Sequence, residues 1–225
     1  EYDGADWILH ENIERPRKAL LDHNGTLWVG TDRSGLFRLE NDGSWTNYNT
    51  DDGLLQQNVQ ALAVDNNNNL WIGTFLGLNR FDGTTFSAYT VDNGLAANSV
   101  VELTVDPQGR LWVASWRDGI SIFDGSNWTY EPDVWNTRDF CLDQDDTLWI
   151  AATGSIYAYA NDTMVSMYIE SDFGEMWDMA FSSFAKGIDG TKYIGTLSQG
   201  LIELSPDGSF QIHEPDFGLI SNYIE

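Results

Sequence analysis

Asp65-Asn66-Asn67-Asn68-Asn69-Leu70-Trp71-Ile72-Gly73-Thr74 is the stretch that decides the fold. An oxygen-rich turn runs straight into a short apolar strand, and the pattern returns four times. It recurs as Asp22 to Thr31, Asp106 to Ser115 and Asp143 to Ala152, with Leu-Trp kept in each, and more loosely as Gly187 to Thr196. The aromatic positions Trp28, Trp71, Trp112, Trp149 and Tyr193 are separated by 43, 41, 37 and 44 residues. A strand-rich repeat of roughly 40–45 residues is the signature of a β-propeller with four strands per blade. A β-sandwich explains strands but not a fixed period.

Each period divides into four strands. In the second, Val59–Val64 is the inner strand, Leu70–Thr74 the second, Gly77–Phe81 the third and Thr85–Tyr89 the outer one. Asp-Gly turns follow the third strand at Asp42-Gly43, Asp82-Gly83, Asp124-Gly125 and Asp207-Gly208, with Asn161-Asp162 in the fourth copy. Asp-Gly between apolar runs marks a hairpin. Blades are therefore expected at 15–50, 58–90, 98–131, 136–169 and 177–214 within a single propeller domain. Residues 2–7 match 123–128, and 222–225 resemble the start of an inner strand, so partial strands of a further blade are expected at the two ends, either as in a piece of a longer propeller or with the ends meeting to form part of that blade. Gly35, Gly77, Gly119, Gly154 and Gly200 fall between second and third strands, where a positive φ is expected. Side chains alternate along a strand, and both faces of a blade are covered by neighbours. The Trp of each Leu-Trp pair is accordingly assigned to the core.

Composition narrows the function. The 225 residues carry 35 acidic against 11 basic groups, a net charge of −24. Such a surface repels phosphate backbones and anionic membranes, so nucleic-acid binding is set aside. No run approaches the roughly 18 apolar residues of a membrane span. Cys141 is the single cysteine, so no internal disulfide forms. The Asp/Asn turns offer hard oxygen ligands suited to Ca²⁺, but tight turns use the same residues, and no cofactor is expected. His10, His23 and His213 have no zinc spacing. Sequons at Asn24, Asn127 and Asn161 fall out of the turn pattern. No nucleophile motif stands out, and enzymatic activity is the weaker expectation. His213, at the end of an outer strand, is the one histidine suited to a lyase.

Leu-Trp-Val-Gly-Thr, followed by Gly-Leu and an Asp-Gly turn, resembles the two-component regulator propeller repeat over nearly the whole chain. More distantly it is similar to streptogramin lyase propellers. The resemblance implies an extracytoplasmic sensor module, periplasmic or extracellular, of the kind that hybrid histidine kinases use to sense carbohydrate breakdown products.

Candidate site residues are departures from the repeat in the loops at one end of the blades, where a repeat architecture places function. They are Arg33, Phe75, Trp116, Arg117 and Gln199 in the second-to-third-strand turns, and Trp135 and Trp177 in the links that lead to the next blade. Arg15, Arg17 and Lys18 form a basic cluster before the first inner strand. Exposed indoles can stack on a sugar ring while carboxylates, amides and Arg take its hydroxyls. The expected ligand is a small molecule or oligosaccharide, or a partner protein. The alternatives are a structural assembly module and a lyase or glycan hydrolase.

Overall fold

The computed structural model describes residues 13–169, 172, 181–197 and 200–213. Among these, twenty strands form five four-stranded antiparallel sheets, each in chain order. The first holds β1 (Pro16–Leu21), β2 (Leu27–Thr31), β3 (Leu36–Leu39) and β4 (Trp45–Tyr48). The second holds β5 (Val59–Val64), β6 (Leu70–Thr74), β7 (Gly77–Phe81) and β8 (Phe86–Tyr89), within one residue of the strands read from sequence. The third holds β9 (Val100–Val105), β10 (Leu111–Ser115), β11 (Ile120–Phe123) and β12 (Trp128–Glu131). The fourth holds β13 (Asp139–Leu142), β14 (Leu148–Ala152), β15 (Ser155–Ala160) and β16 (Thr163–Ile169). The fifth holds β17 (Phe181–Lys186), β18 (Lys192–Thr196), β19 (Leu201–Leu204) and β20 (Phe210–His213). Single turns of 3-10 helix stand at Thr50–Asp52 and Val91–Asn93, each in a link between sheets. No helix among the described residues is long and apolar enough to cross a membrane. The terminal segments expected to carry strands of a further blade lie outside the described residues.

The repeat exists because a buried tryptophan must satisfy its indole N–H. Trp28, Trp71, Trp112 and Trp149 are all at most 9% exposed. In the first three sheets the Asp six residues earlier accepts that N–H, at 3.1 Å for Trp28–Asp22, 3.0 Å for Trp71–Asp65 and 2.9 Å for Trp112–Asp106. The same carboxylates accept backbone amides of their own turns, from Asn24 and Thr26 to Asp22 and from Asn67 and Asn69 to Asp65. Burial would raise the Asp22 and Asp65 pKa values, but these donors outweigh it and hold both below the usual range. A tight turn, a buried indole and an ionised carboxylate thus support one another. Asp65 spends its oxygens on the protein itself, which is the turn role of these residues.

The chain divides into two compact units, 1–103 and 104–225, with the boundary inside β9. In the first unit neighbouring sheets meet through missing side chains. A Cβ on Gly30 would lie 2.4 Å from Val59 Cγ1, and one on Gly73 would lie 2.5 Å from Val100 Cγ1. Here glycine supplies space, not an unusual φ: a β-branched residue of the next first strand fills the gap. Around it gather Trp28, Leu36, Leu54, Leu62, Ile72 and Phe81. Lys18 on β1 reaches Glu102 on β9 at 2.6 Å, so one of the three expected basic residues is spent internally.

In the second unit the repeat is modified. Arg110 donates to Asp106 at 2.6 Å and to Asp162 at 2.8 Å, while its guanidinium lies 5.1 Å from the Tyr159 ring. These contacts tie the third sheet to the fourth. In the fifth copy Gly187 stands for the turn Asp and Tyr193 for the Trp, so both partners of the indole bond are lost together. Lys192 takes the place held by Leu in the other copies. It is buried, pairs with Asp143 of the fourth sheet at 2.6 Å, and lies 4.5 Å from the Trp149 ring centre. The Trp149 indole N–H correspondingly falls short of a full hydrogen bond, keeping a weak interaction with Asp143 that is the least of those acting on this carboxylate. Burial alone would raise the Asp143 pKa; the Lys192 ammonium and the Gln144 amide outweigh it and keep the carboxyl below its ordinary value.

Gly119 departs from expectation. Gly35, Gly77, Gly154 and Gly200 have positive φ, but in the third copy Arg117, at φ 61°, takes the left-handed conformation instead. Gly119 is needed for space, because a Cβ there would lie 2.1 Å from the Glu131 carbonyl oxygen.

Two outcomes follow. Gly73→Ala destabilises the chain by about 1–3 kcal/mol through overpacking, and adding Val100→Ala recovers part of the loss in urea titrations. Asp143→Ala strands the Lys192 ammonium and costs about 3–5 kcal/mol, whereas Lys192→Leu costs far less. Because the folded Asp143 pKa is depressed, the stabilisation by this pair is complete above the ordinary aspartate value of 3.8 and is lost as pH falls. Thermal melts of the parent therefore decline more steeply below about pH 4 than those of Lys192→Leu.

Candidate functional site

The described candidate residues fall into two groups, one in each unit. In the first unit the link 54–58 holds two turns in place. Gly35 donates its amide to the Gln57 carbonyl at 2.9 Å, Asn58 donates to Asp32 at 3.1 Å, and the Phe75 amide donates to Gln56 Oε1 at 3.1 Å. Three consecutive link residues therefore bring the Arg33 turn and the Phe75 turn together. Phe75 and its neighbour Leu76 are exposed. Arg33 lies 3.7 Å from Asp32, which also pairs with Arg15 at 3.4 Å. This group is an apolar tip beside a compensated charge cluster.

The second unit holds the stronger arrangement. The turn between β10 and β11 carries Trp116 and Arg117, and the link between β12 and β13 carries Trp135. Turn and link meet twice. Gly119 packs against Glu131 and Pro132, its amide donating to the Tyr130 hydroxyl at 3.2 Å. The Arg138 guanidinium then stands 5.7 Å from the Trp116 ring centre. Trp116 is 47% exposed and Trp135 54% exposed, against at most 9% for the four repeat tryptophans. Trp135 is held outward because Val134 and Thr137 beside it are buried at 2% each. The link is also two residues shorter than its counterpart between Leu54 and Val59, if Val134 and Thr137 are the matching anchors. Cation–π contact orients the Arg138 side chain and stabilises it by roughly 0.5–1 kcal/mol at an exposed site. The patch offers two wide apolar rings and two guanidinium groups.

Trp177 and Gln199 lie outside the described residues. Arg138 was not among the sequence candidates; it stands one residue before β13, and nothing local announces that it reaches Trp116, 22 positions earlier. His213 lies opposite Leu201, at the end of its sheet where β18 turns into β19, and its Nε2 stands 2.8 Å from Glu203 Oε2. Among the described residues no group of three or more His, Cys, Asp or Glu is arranged to hold a metal ion.

Sequence reasoning also missed a polar crevice of about 530 Å³ in the first unit. Trp28, Arg38, Glu40, Asn68, Asp82 and Asp22 line it, between the turns at the opposite end of the first two sheets. Arg38 is neutralised by Glu40 at 2.8 Å. Each of these residues has a turn or packing role in its own repeat, which is why none stood out.

The sequence model described as "Two component regulator propeller" matches residues 53–75 and 94–117. The chain carries that propeller repeat. No curated protein matches it in sequence. Among solved structures it is similar to the extracellular domain assigned to the hybrid two component system BT3049 of B. thetaiotaomicron, with 21% identity and a TM-score of 0.73 over 85% of this chain and 28% of that one. It is similar to the extracellular domain assigned to the one component system BT4673 of the same organism, with 19% identity and a TM-score of 0.74 over 89% and 30%. It is also similar to virginiamycin B lyase from Staphylococcus aureus, with 14% identity and a TM-score of 0.70 over 88% and 69%. The fold is thus a β-propeller built of five four-stranded blades, and the chain spans less than a third of the length of the two extracellular domains.

Acrylamide quenching checks the division of tryptophans. Trp116→Phe and Trp135→Phe each lower the rapidly quenched intensity, while Trp112→Phe leaves that intensity unchanged.

Proposed function

We propose that this propeller is a sensory ligand-binding module that works outside the cytoplasm and recognises a carbohydrate-like ligand through Trp116, Arg117, Trp135 and Arg138. The observation that carries the reading is the exposed Trp116 ring with Arg138 oriented over it, Arg138 standing on the same link as the exposed Trp135. Every repeat tryptophan is buried, so two solvent-facing indoles on one patch have no packing role to explain them. Sugar rings present axial C–H faces that stack on indole, and their hydroxyls accept from guanidinium groups. A few polar groups set among aromatic surface is the usual composition of a small-ligand site. The repeat shared with two-component regulator propellers and the similarity to two extracellular domains support the sensory role and the location. Arg33 and Phe75 of the first unit, and Trp177 and Gln199 in the sequence of the second, are proposed as ligand contacts independent of this patch.

A second reading, docking of a partner protein, is favoured by one feature. β16 is an uncharged fourth strand of seven residues, and Val165 and Met167 on it are exposed. Long apolar edge strands are ready templates for strand addition.

Titration of oligosaccharides against the intrinsic fluorescence of the chain tests the first reading. A binding sugar shifts the emission of the parent, and Trp116→Ala weakens its affinity by about tenfold or more, a loss of roughly 1.4 kcal/mol. Unchanged affinity in Trp116→Ala and in Trp135→Ala overturns it.

A further inference from the structure

We infer that the ligand of the Trp116 patch is an acidic saccharide, one that carries a carboxylate or sulfate group beside the ring that stacks on indole. The inference rests on the reading of this patch as a sugar site and adds the charge of its ligand.

The argument comes from the fate of the arginines. Acidic residues outnumber basic ones 35 to 11, so a guanidinium in this chain readily finds a carboxylate. Arg15, Arg33, Arg38 and Arg110 do so, at 2.6–3.7 Å. Arg117 and Arg138 are without a carboxylate partner among the described residues, and they stand on the two segments that present Trp116 and Trp135. Arg17 and Arg80 share that condition, but neither is set over an exposed indole; Arg80 lies over the buried Trp71. A guanidinium presents paired N–H donors in one plane, a match for the oxygens of a carboxylate or sulfate. Arg138 is already oriented by the indole, so little of its side-chain freedom remains to be lost on binding.

Arg117 adds an independent sign. Its φ of 61° is a conformation that glycine or asparagine adopts with less strain. A residue kept at a strained position against local preference points to use of its side chain. The net charge of −24 does not forbid an anion here. At physiological ionic strength charges beyond about 8 Å are screened, so the groups of the turn and link decide, Arg117 and Arg138 set against the exposed Asp118 and Asp133.

Calorimetry on the full chain with three panels of matched length tests the inference: uronate-containing, sulfated and neutral oligosaccharides. At least one acidic panel binds about tenfold or more tightly than the neutral one, and Arg138→Gln and Arg117→Gly each weaken that binding by about tenfold, the scale of one hydrogen bond to a charged group. Arg117→Gly keeps or raises the melting temperature, which separates lost contact from lost fold. Whichever acidic panel binds names the group as carboxylate or sulfate. Neutral sugars that bind as tightly as acidic ones, or acidic sugars indifferent to both arginine substitutions, overturn the acidic ligand while the sugar site stands. Failure of all three panels to bind overturns the sugar site and this inference with it.

Discussion

The hydrogen bond from a buried indole to an aspartate six residues earlier is the constraint on which the rest of this structure depends. A tryptophan on the second strand of four of the five sheets contributes a large apolar area to the packing of sheet on sheet. Its N–H would cost roughly 1–3 kcal/mol if buried without a partner. The aspartate that opens the preceding turn removes that cost and closes the turn with the same oxygens. One residue type at one spacing thereby fixes strand register, turn geometry and core, and the chain repeats the solution at Asp22–Trp28, Asp65–Trp71 and Asp106–Trp112.

Departures from this solution are coupled, as a physical constraint requires. Where the fifth copy gives up the tryptophan for Tyr193, it also gives up the aspartate, as Gly187. Where Lys192 enters the position of an apolar leucine, Asp143 pairs with it and the bond to the Trp149 indole is weakened. The second-strand glycines follow the same logic of space: Gly30 and Gly73 admit Val59 and Val100, and Ala114 and Ala151 stand at the matching positions of the third and fourth copies.

This is also why so much of the fold was legible in the sequence and only part of the site. The repeat set by Trp28, Trp71, Trp112 and Trp149 identifies strands to within a residue or so, because local turn chemistry and packing agree. Subtracting the repeat leaves Trp116 and Trp135, and both prove exposed. Arg138 escaped notice because its contact with Trp116 joins two loops through tertiary structure. Gly119 was misjudged because glycine satisfies two different demands, positive φ and absence of Cβ, and sequence alone does not separate them. The crevice beside Arg38 and Glu40 was invisible for the opposite reason: each residue there already has a sufficient local role.

The account therefore separates Trp28, Trp71 and Trp112, whose indoles bond to an aspartate inside the blades, from Trp116 and Trp135, which are exposed and proposed to meet a ligand. Hydrogen exchange of the indole N–H groups, followed by NMR, measures this sorting most directly. The account predicts strong protection for Trp28, Trp71 and Trp112 and fast exchange for Trp116 and Trp135, with the latter pair shifting and the former three unmoved when a saccharide is added. Fast exchange at Trp28, Trp71 and Trp112, or strong protection of Trp116 and Trp135 in the free chain, would contradict it.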